Sequence, residues 1–255
     1  MNLNKTMALV LSFTIISVSA VAFGWGSKVK KFADGAKMVK IEAGEFIMGD
    51  DGGEADERPA HKVTLKTYWI DVYEVSREKY ASCVAAGKCD KPDGMDDAEN
   101  GNLPVTGIDW KDAADYCAFA RKRLPTEAEW EKAARGTEGR TYPWGENIDC
   151  SYANYRECEV GGPLPVGSYR KGAGPYKTMD MAGNVCEWVS DYYNAGYYKS
   201  TPAPDPTGPE SGKYRVVRGG SFARPMVGMR SADRAGYSPR TKAPYIGFRC
   251  AMDDE

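Results

Sequence analysis

The chain has 255 residues, a formal charge of −2 from 34 Lys and Arg against 36 Asp and Glu, 42% apolar residues and 27% charged ones. That balance excludes a disordered tail, a polytopic membrane protein and a basic nucleic-acid surface. A single histidine excludes any three-histidine iron or zinc site within the chain, and 28 Gly, 15 Pro, 16 Tyr and 6 Trp point to a loop-rich fold.

At the N-terminus, Lys5, an apolar run Met7–Val18 and Ala20-Val-Ala22 have the three parts of a secretory signal peptide. Residues 1–22 are therefore expected to direct export to a periplasmic or extracellular space. Membrane contact is expected only in transit, with a retained anchor as the alternative. Residues 23–37, small and basic, read as a linker. The remainder, 38–255, shows no composition break and reads as one domain.

Met38–Glu42 alternates like a strand, Gly44–Gly49 reads as its continuation in a hairpin, and Val63–Ile70 alternates again. Ser76 is placed to cap a helix that Gly87 stops. Asp109 opens a second helix with Trp110, Ala113, Ala114, Cys117 and Ala120 on one face. Thr126 and Glu129 form a capping box for a third, which Gly136 ends. Beyond it, turns and short strands dominate, so the fold class is α+β with much irregular backbone.

Export makes the seven cysteines more suited to bridges than to metal. Cys83 with Cys89, and Cys150 with Cys158, are spaced as local staples, each worth roughly 2 kcal/mol. Cys117 with Cys250 is the economical third pair, leaving Cys186. Spacing alone does not fix the connectivity.

Several motifs follow in order: Phe46-Ile-Met-Gly49, Glu57-Arg-Pro-Ala-His61-Lys-Val63, Arg123-Leu-Pro-Thr-Glu-Ala-Glu-Trp-Glu131, Tyr142-Pro-Trp-Gly145, Asp180-Met-Ala-Gly-Asn-Val185, Arg218-Gly-Gly-Ser221 and Ile246-Gly-Phe-Arg249. In this order the chain resembles the formylglycine-generating enzyme family, the sulfatase-modifying-factor domain, from residue 38 to 252. The resemblance implies a C-type-lectin-like fold with little regular secondary structure. It also implies a bridge between the positions of Cys117 and Cys250. The family's other bridge has no counterpart, because Ala134 and Ser231 stand at its positions.

Family members oxidise a sulfatase cysteine with O₂ and copper held by two thiolates, use a three-histidine iron site, or act as binding modules. In the copper members the cysteine pair follows Gly-Gly-Ser. Here Ser221-Phe-Ala-Arg-Pro-Met-Val-Gly-Met-Arg230 has none, and the thioethers of Met226 and Met229 are read as packing. Neither copper nor iron is expected, and His61 is read as a structural histidine.

The resemblance places a structural calcium on Asp180, Gly183, Val185 and Glu187, whose oxygens suit a hard cation; an ordinary turn with Glu187 in a salt bridge is the alternative. A second family calcium position, near Asn154 and Tyr155, looks degraded. The resemblance puts Cys186, with Ser221, Arg224 and Arg230, at the family's groove. A protein, peptide or glycan is the expected ligand there. The acidic run Asp50–Glu57 reads as a solvated loop, and Tyr192, Tyr193, Tyr197 and Tyr198 as loop packing. Three functions remain open: a non-catalytic binding or assembly module, a divergent oxidase or maturation enzyme, and a structural envelope component.

Overall fold

A computed structural model describes residues 28–92, 95, 100–200 and 204–254. The expected signal peptide, and residues 23–27 of the expected linker, lie outside the described residues. The strands and helices run β1 (Val29–Lys31), β2 (Lys37–Ile41), β3 (Gly44–Met48), β4 (His61–Leu65), β5 (Tyr68–Asp71), α1 (Arg77–Ala85), α2 (Trp110–Phe119) and α3 (Glu127–Arg135). After a long irregular stretch come β6 (Cys186–Tyr192), β7 (Arg215–Arg218), β8 (Arg234–Tyr237), β9 (Ile246–Phe248) and β10 (Ala251–Asp253). They form a sheet ordered β1-β2-β5-β10, a β3-β4 ribbon and a sheet ordered β8-β7-β6-β9. The fold is the α+β class read from the sequence, with short elements and three disulfides.

Two strand expectations change. β2 and β3 do not form a hairpin: β2 pairs antiparallel with β5, and β3 with β4. The run Val63–Ile70 breaks at Lys66 and Thr67, so that β4 and β5 enter different sheets. The segment read as a linker also differs, since its residues 28–37 carry β1 paired with β2. Phe32 lies edge-on to Trp69 at 5.5 Å, and Asp34 takes the Lys122 ammonium at 2.6 Å.

All three helices start where the sequence places them. Asp109 accepts from the Asp112 amide and Thr126 from the Glu129 amide, each inside a complete capping box. Gly136 ends α3 at φ 71°, where a Cβ would meet Pro175 at 2.9 Å. One apolar core joins α3 to β2, the ribbon and β5, with Trp130 at its centre. A second packs Tyr80, Tyr116 and Cys117 of α1 and α2 on Trp188, Val217 and Phe248.

Every residue of α3 is buried, including its charges. Glu127 receives Arg218 at 2.8 Å and Arg234 at 2.7 Å. Glu131 receives Arg218 at 2.6 Å, Arg135 at 3.0 Å and the Gly49 amide at 2.8 Å. Burial acts against the Glu127 charge, yet the two guanidiniums hold its carboxyl below the ordinary value. Removing one partner of such a pair would strand a buried charge.

The bridges are Cys83–Cys89, Cys117–Cys250 and Cys150–Cys158, with Cys186 free and buried. Among the described residues no helix is long and apolar enough to cross a membrane.

Candidate functional site

The Arg218-Gly-Gly-Ser221 segment leaves β7 through two glycines in the left-handed region, at φ 88° and 63°. A Cβ on Gly220 would stand 2.1 Å from the Met229 methyl and 2.4 Å from the Gly228 carbonyl. The turn therefore folds the following loop back on itself. Ser221 is fully buried, its hydroxyl accepting from the Ala223 amide at 3.3 Å. Arg224 is left at the surface of a pit of about 10 Å³ lined by Cys186, Val217, Arg218, Gly220, Asp233, Ala235 and Tyr237.

Cys186, the first residue of β6, forms the pit's floor. Its thiol donates to the Tyr245 carbonyl at 3.2 Å. Burial pushes that thiol up to about 12, with Arg224 pulling the other way. At neutral pH it is a thiol, not a thiolate nucleophile. Asp233, which the sequence reading passed over, is pushed up to about 6 by burial, against Arg224. Its only sequence signal is its place between two arginines, Arg230 and Arg234, shortly after the Arg218-Gly-Gly-Ser221 motif.

The expected groove thus comes together in part. Cys186 and Arg224 share the pit, whereas Arg230 turns away to clamp Glu57 at 2.5 and 2.6 Å. Glu57 is fully buried, and Asp56 accepts from the Tyr193 hydroxyl at 2.7 Å. The acidic run is therefore docked at its end rather than solvated, because Arg230 and Tyr193 reach it from distant segments. The His61 Nδ1–H donates to the Pro59 carbonyl, 2.8 Å away, and the ring lies edge-on to Tyr198. Met229 is buried, while Met226 is 44% and Val227 57% exposed beside Arg224.

The four expected calcium ligands gather at the start of β6. Asp180, at φ 56°, accepts from the Gly167 amide at 2.5 Å. Gly183 lies against the Asn154 carbonyl, which a Cβ would approach to 2.4 Å. Glu187 is engaged on both oxygens, by Arg249 at 2.6 and 2.7 Å and by the Trp130 indole at 2.8 Å. Glu74, a further residue missed from sequence, accepts from Asn184 at 2.8 Å and the Val185 amide at 3.2 Å.

Burial and the nearby Asp180 and Glu187 charges push Glu74 well above the usual carboxylate range. Asp180 is pushed up to about 6 by burial. Three buried carboxylates therefore share one buried guanidinium. The donors are all oxygen, as a hard cation requires, but Glu187 as it stands is committed to Arg249 and Trp130. Among the described residues no three acidic, Cys or His side chains converge closely enough to hold a metal ion. The Asn154 side-chain oxygen nearby is buried without a hydrogen-bond donor.

Residues 26–254 match the model of the sulfatase-modifying factor enzyme 1-like domain. The chain is 34% identical to the formylglycine-generating enzyme of Streptomyces coelicolor, over 85% of this chain and 89% of that one. It is 38% identical to the serine/threonine-protein kinase Pkn1 of Chlamydia trachomatis over 85% of its own length. It spans only 38% of that relative. Its fold superposes on PvdO from Pseudomonas aeruginosa with a TM-score of 0.75 and 28% identity, covering 89% of this chain and 98% of that one. The chain belongs to the family of sulfatase-modifying factor enzyme 1-like domains.

Proposed function

We propose that the chain is an exported, non-catalytic binding or assembly module of this family. The observation that carries the reading is the chemistry of the pit. The Ser221–Arg230 segment holds no cysteine, and the one thiol present is buried and protonated. A soft copper ion wants two thiolates, and none is supplied here. A pit of about 10 Å³ has room for about one water. A partner is therefore met across the surface, where Arg224 stands beside exposed Met226 and Val227. That favours a protein or peptide partner over a glycan or other small ligand. Three disulfides support an oxidising compartment.

The kinase name among the relatives does not extend to this chain, which has neither an His-Arg-Asp nor an Asp-Phe-Gly motif. A divergent oxidase is the second reading, favoured by the identity to a formylglycine-generating enzyme. The two separate in one assay. The protein is incubated with copper, O₂ and a cysteine-bearing sulfatase-motif peptide, and the peptide mass is read. No loss of the thiol is expected; formylglycine product would overturn the module reading.

Calcium enters the same proposal as a structural ion at Asp180, supported by charge. Asp180 and Glu187 against the single Arg249 leave an excess of negative charge that a dication would offset. Calcium should then raise the melting temperature by mass action and chelator should lower it, in the parent chain but not in Asp180→Asn. A melting curve indifferent to chelator would leave the Arg249 pair as the loop's whole support.

A further inference from the structure

A second concavity lies away from the Cys186 pit. A cleft of about 990 Å³ opens between β10, the exposed side of α2 and the ends of β6 and β7. Its apolar walls come from Leu65, Ala114, Ala118 and Leu124. Its volume is that of a site for a ligand of several residues, too large for a free amino acid.

Arg215 stands in one wall. Its guanidinium carbon lies 3.8 Å from the ring centre of Trp110 and 3.5 Å from that of Tyr192, so the plane is held between two aromatic faces. One N–H donates to the Ser190 carbonyl. Among the described residues Arg215 makes no ion pair, the buried Asp191 acting on it only at longer range, although the other cations of the cleft are paired. Arg123 pairs with Glu129 and Asp253, Lys122 with Asp34 and Asp71, and Lys66 with Asp205. A guanidinium has five N–H donors in a fixed plane, and aromatic faces cannot accept along its edge. What remains is a positioned donor edge that suits a planar carboxylate.

The rest of the cleft decides which anion. Four cations in the lining face five carboxylates, so a doubly charged phosphate enters an unfavourable field. Among the described residues, the exposed Glu210 is the rim carboxylate without an ion pair, as Arg215 is the wall cation without one. Together they suit a ligand carrying one carboxylate and, further along, one positive charge.

We infer that this cleft is a second binding site, separate from the Cys186 pit, for the C-terminal end of a peptide. The terminal carboxylate seats on the edge of Arg215, apolar side chains lie along Ala114 and Ala118, and a basic residue upstream faces Glu210. The site does not depend on the function proposed for the pit.

The test is calorimetric titration of the full chain with the acetylated peptide Ala-Lys-Ala-Ala-Leu, as the free acid and as the C-terminal amide. The acid is expected to bind at least about tenfold more tightly, the usual scale for losing one charge-assisted bidentate contact. Arg215→Met should erase that preference. Arg215→Lys, which keeps the charge but not the fork, should also reduce it, and it covers the case in which the methionine variant is unstable. Glu210→Gln should weaken the lysine peptide towards its alanine counterpart. Equal binding of acid and amide, no binding at millimolar peptide, or a preference for inorganic phosphate would each overturn the site.

Discussion

Asp191 shows how one buried carboxyl sets the start of a helix. Its side chain accepts from the Glu127 amide and from the Ser190 hydroxyl, both at 2.9 Å, at the N-terminus of α3. Burial, then the neighbouring Glu127 charge, pushes it up to about 7. An unfolded aspartate titrates near about 3.9. Between about pH 4 and 7 the folded state thus holds the proton that the unfolded state has released. Stability from this group is present at the acid end of that window and is lost as pH rises through it. Asp191→Asn keeps an acceptor and removes the titration. The unfolding free energy of the parent minus that of the variant, from urea melts, should be larger at pH 5 than at pH 8. A difference that does not change with pH would show that Asp191 is ionised throughout.

At the scale of elements, what the sequence discloses is local. The two capping boxes need only residues 109–112 and 126–129, and both helices begin there. The burial of α3 was not legible, because its charges are neutralised by residues 87 to 107 positions away. Five acidic and basic side chains along a helix read as a solvated face until Arg218 and Arg234 are seen to cross it. The same limit hides Glu57 under Arg230, across 173 residues. β1 was unreadable for another reason. All three of its residues are exposed, so it has no apolar alternation, and it is held by backbone pairing and by Phe32 and Asp34 beyond its end. The pit and the Asp180 cluster follow the same rule: motifs mark Cys186, Arg224 and Asp180, whereas Asp233 in the pit and Glu74 on Asn184 and Val185 acquire their roles only by packing.

For the molecule as a whole, Cys117–Cys250 joins the middle of the chain to its last strand. This bridge ties α2 to the residue that precedes β10, where Ala251 also exchanges backbone bonds with Arg123. It spans 133 residues, against 6 for Cys83–Cys89. On the loop-entropy account the long loop contributes about 5 kcal/mol and the short one about 2 kcal/mol. Cys117 and Cys250 are both fully buried, whereas Cys83 is buried and Cys89 only half-buried. The packing loss is therefore no smaller for the long-loop pair, and it adds to the difference in chain entropy. The double variant Cys117→Ala/Cys250→Ala should lose more stability in urea than Cys83→Ala/Cys89→Ala, by about 2 to 3 kcal/mol. Equal losses, or a larger loss from the short loop, would show that loop length does not set what these two bridges contribute.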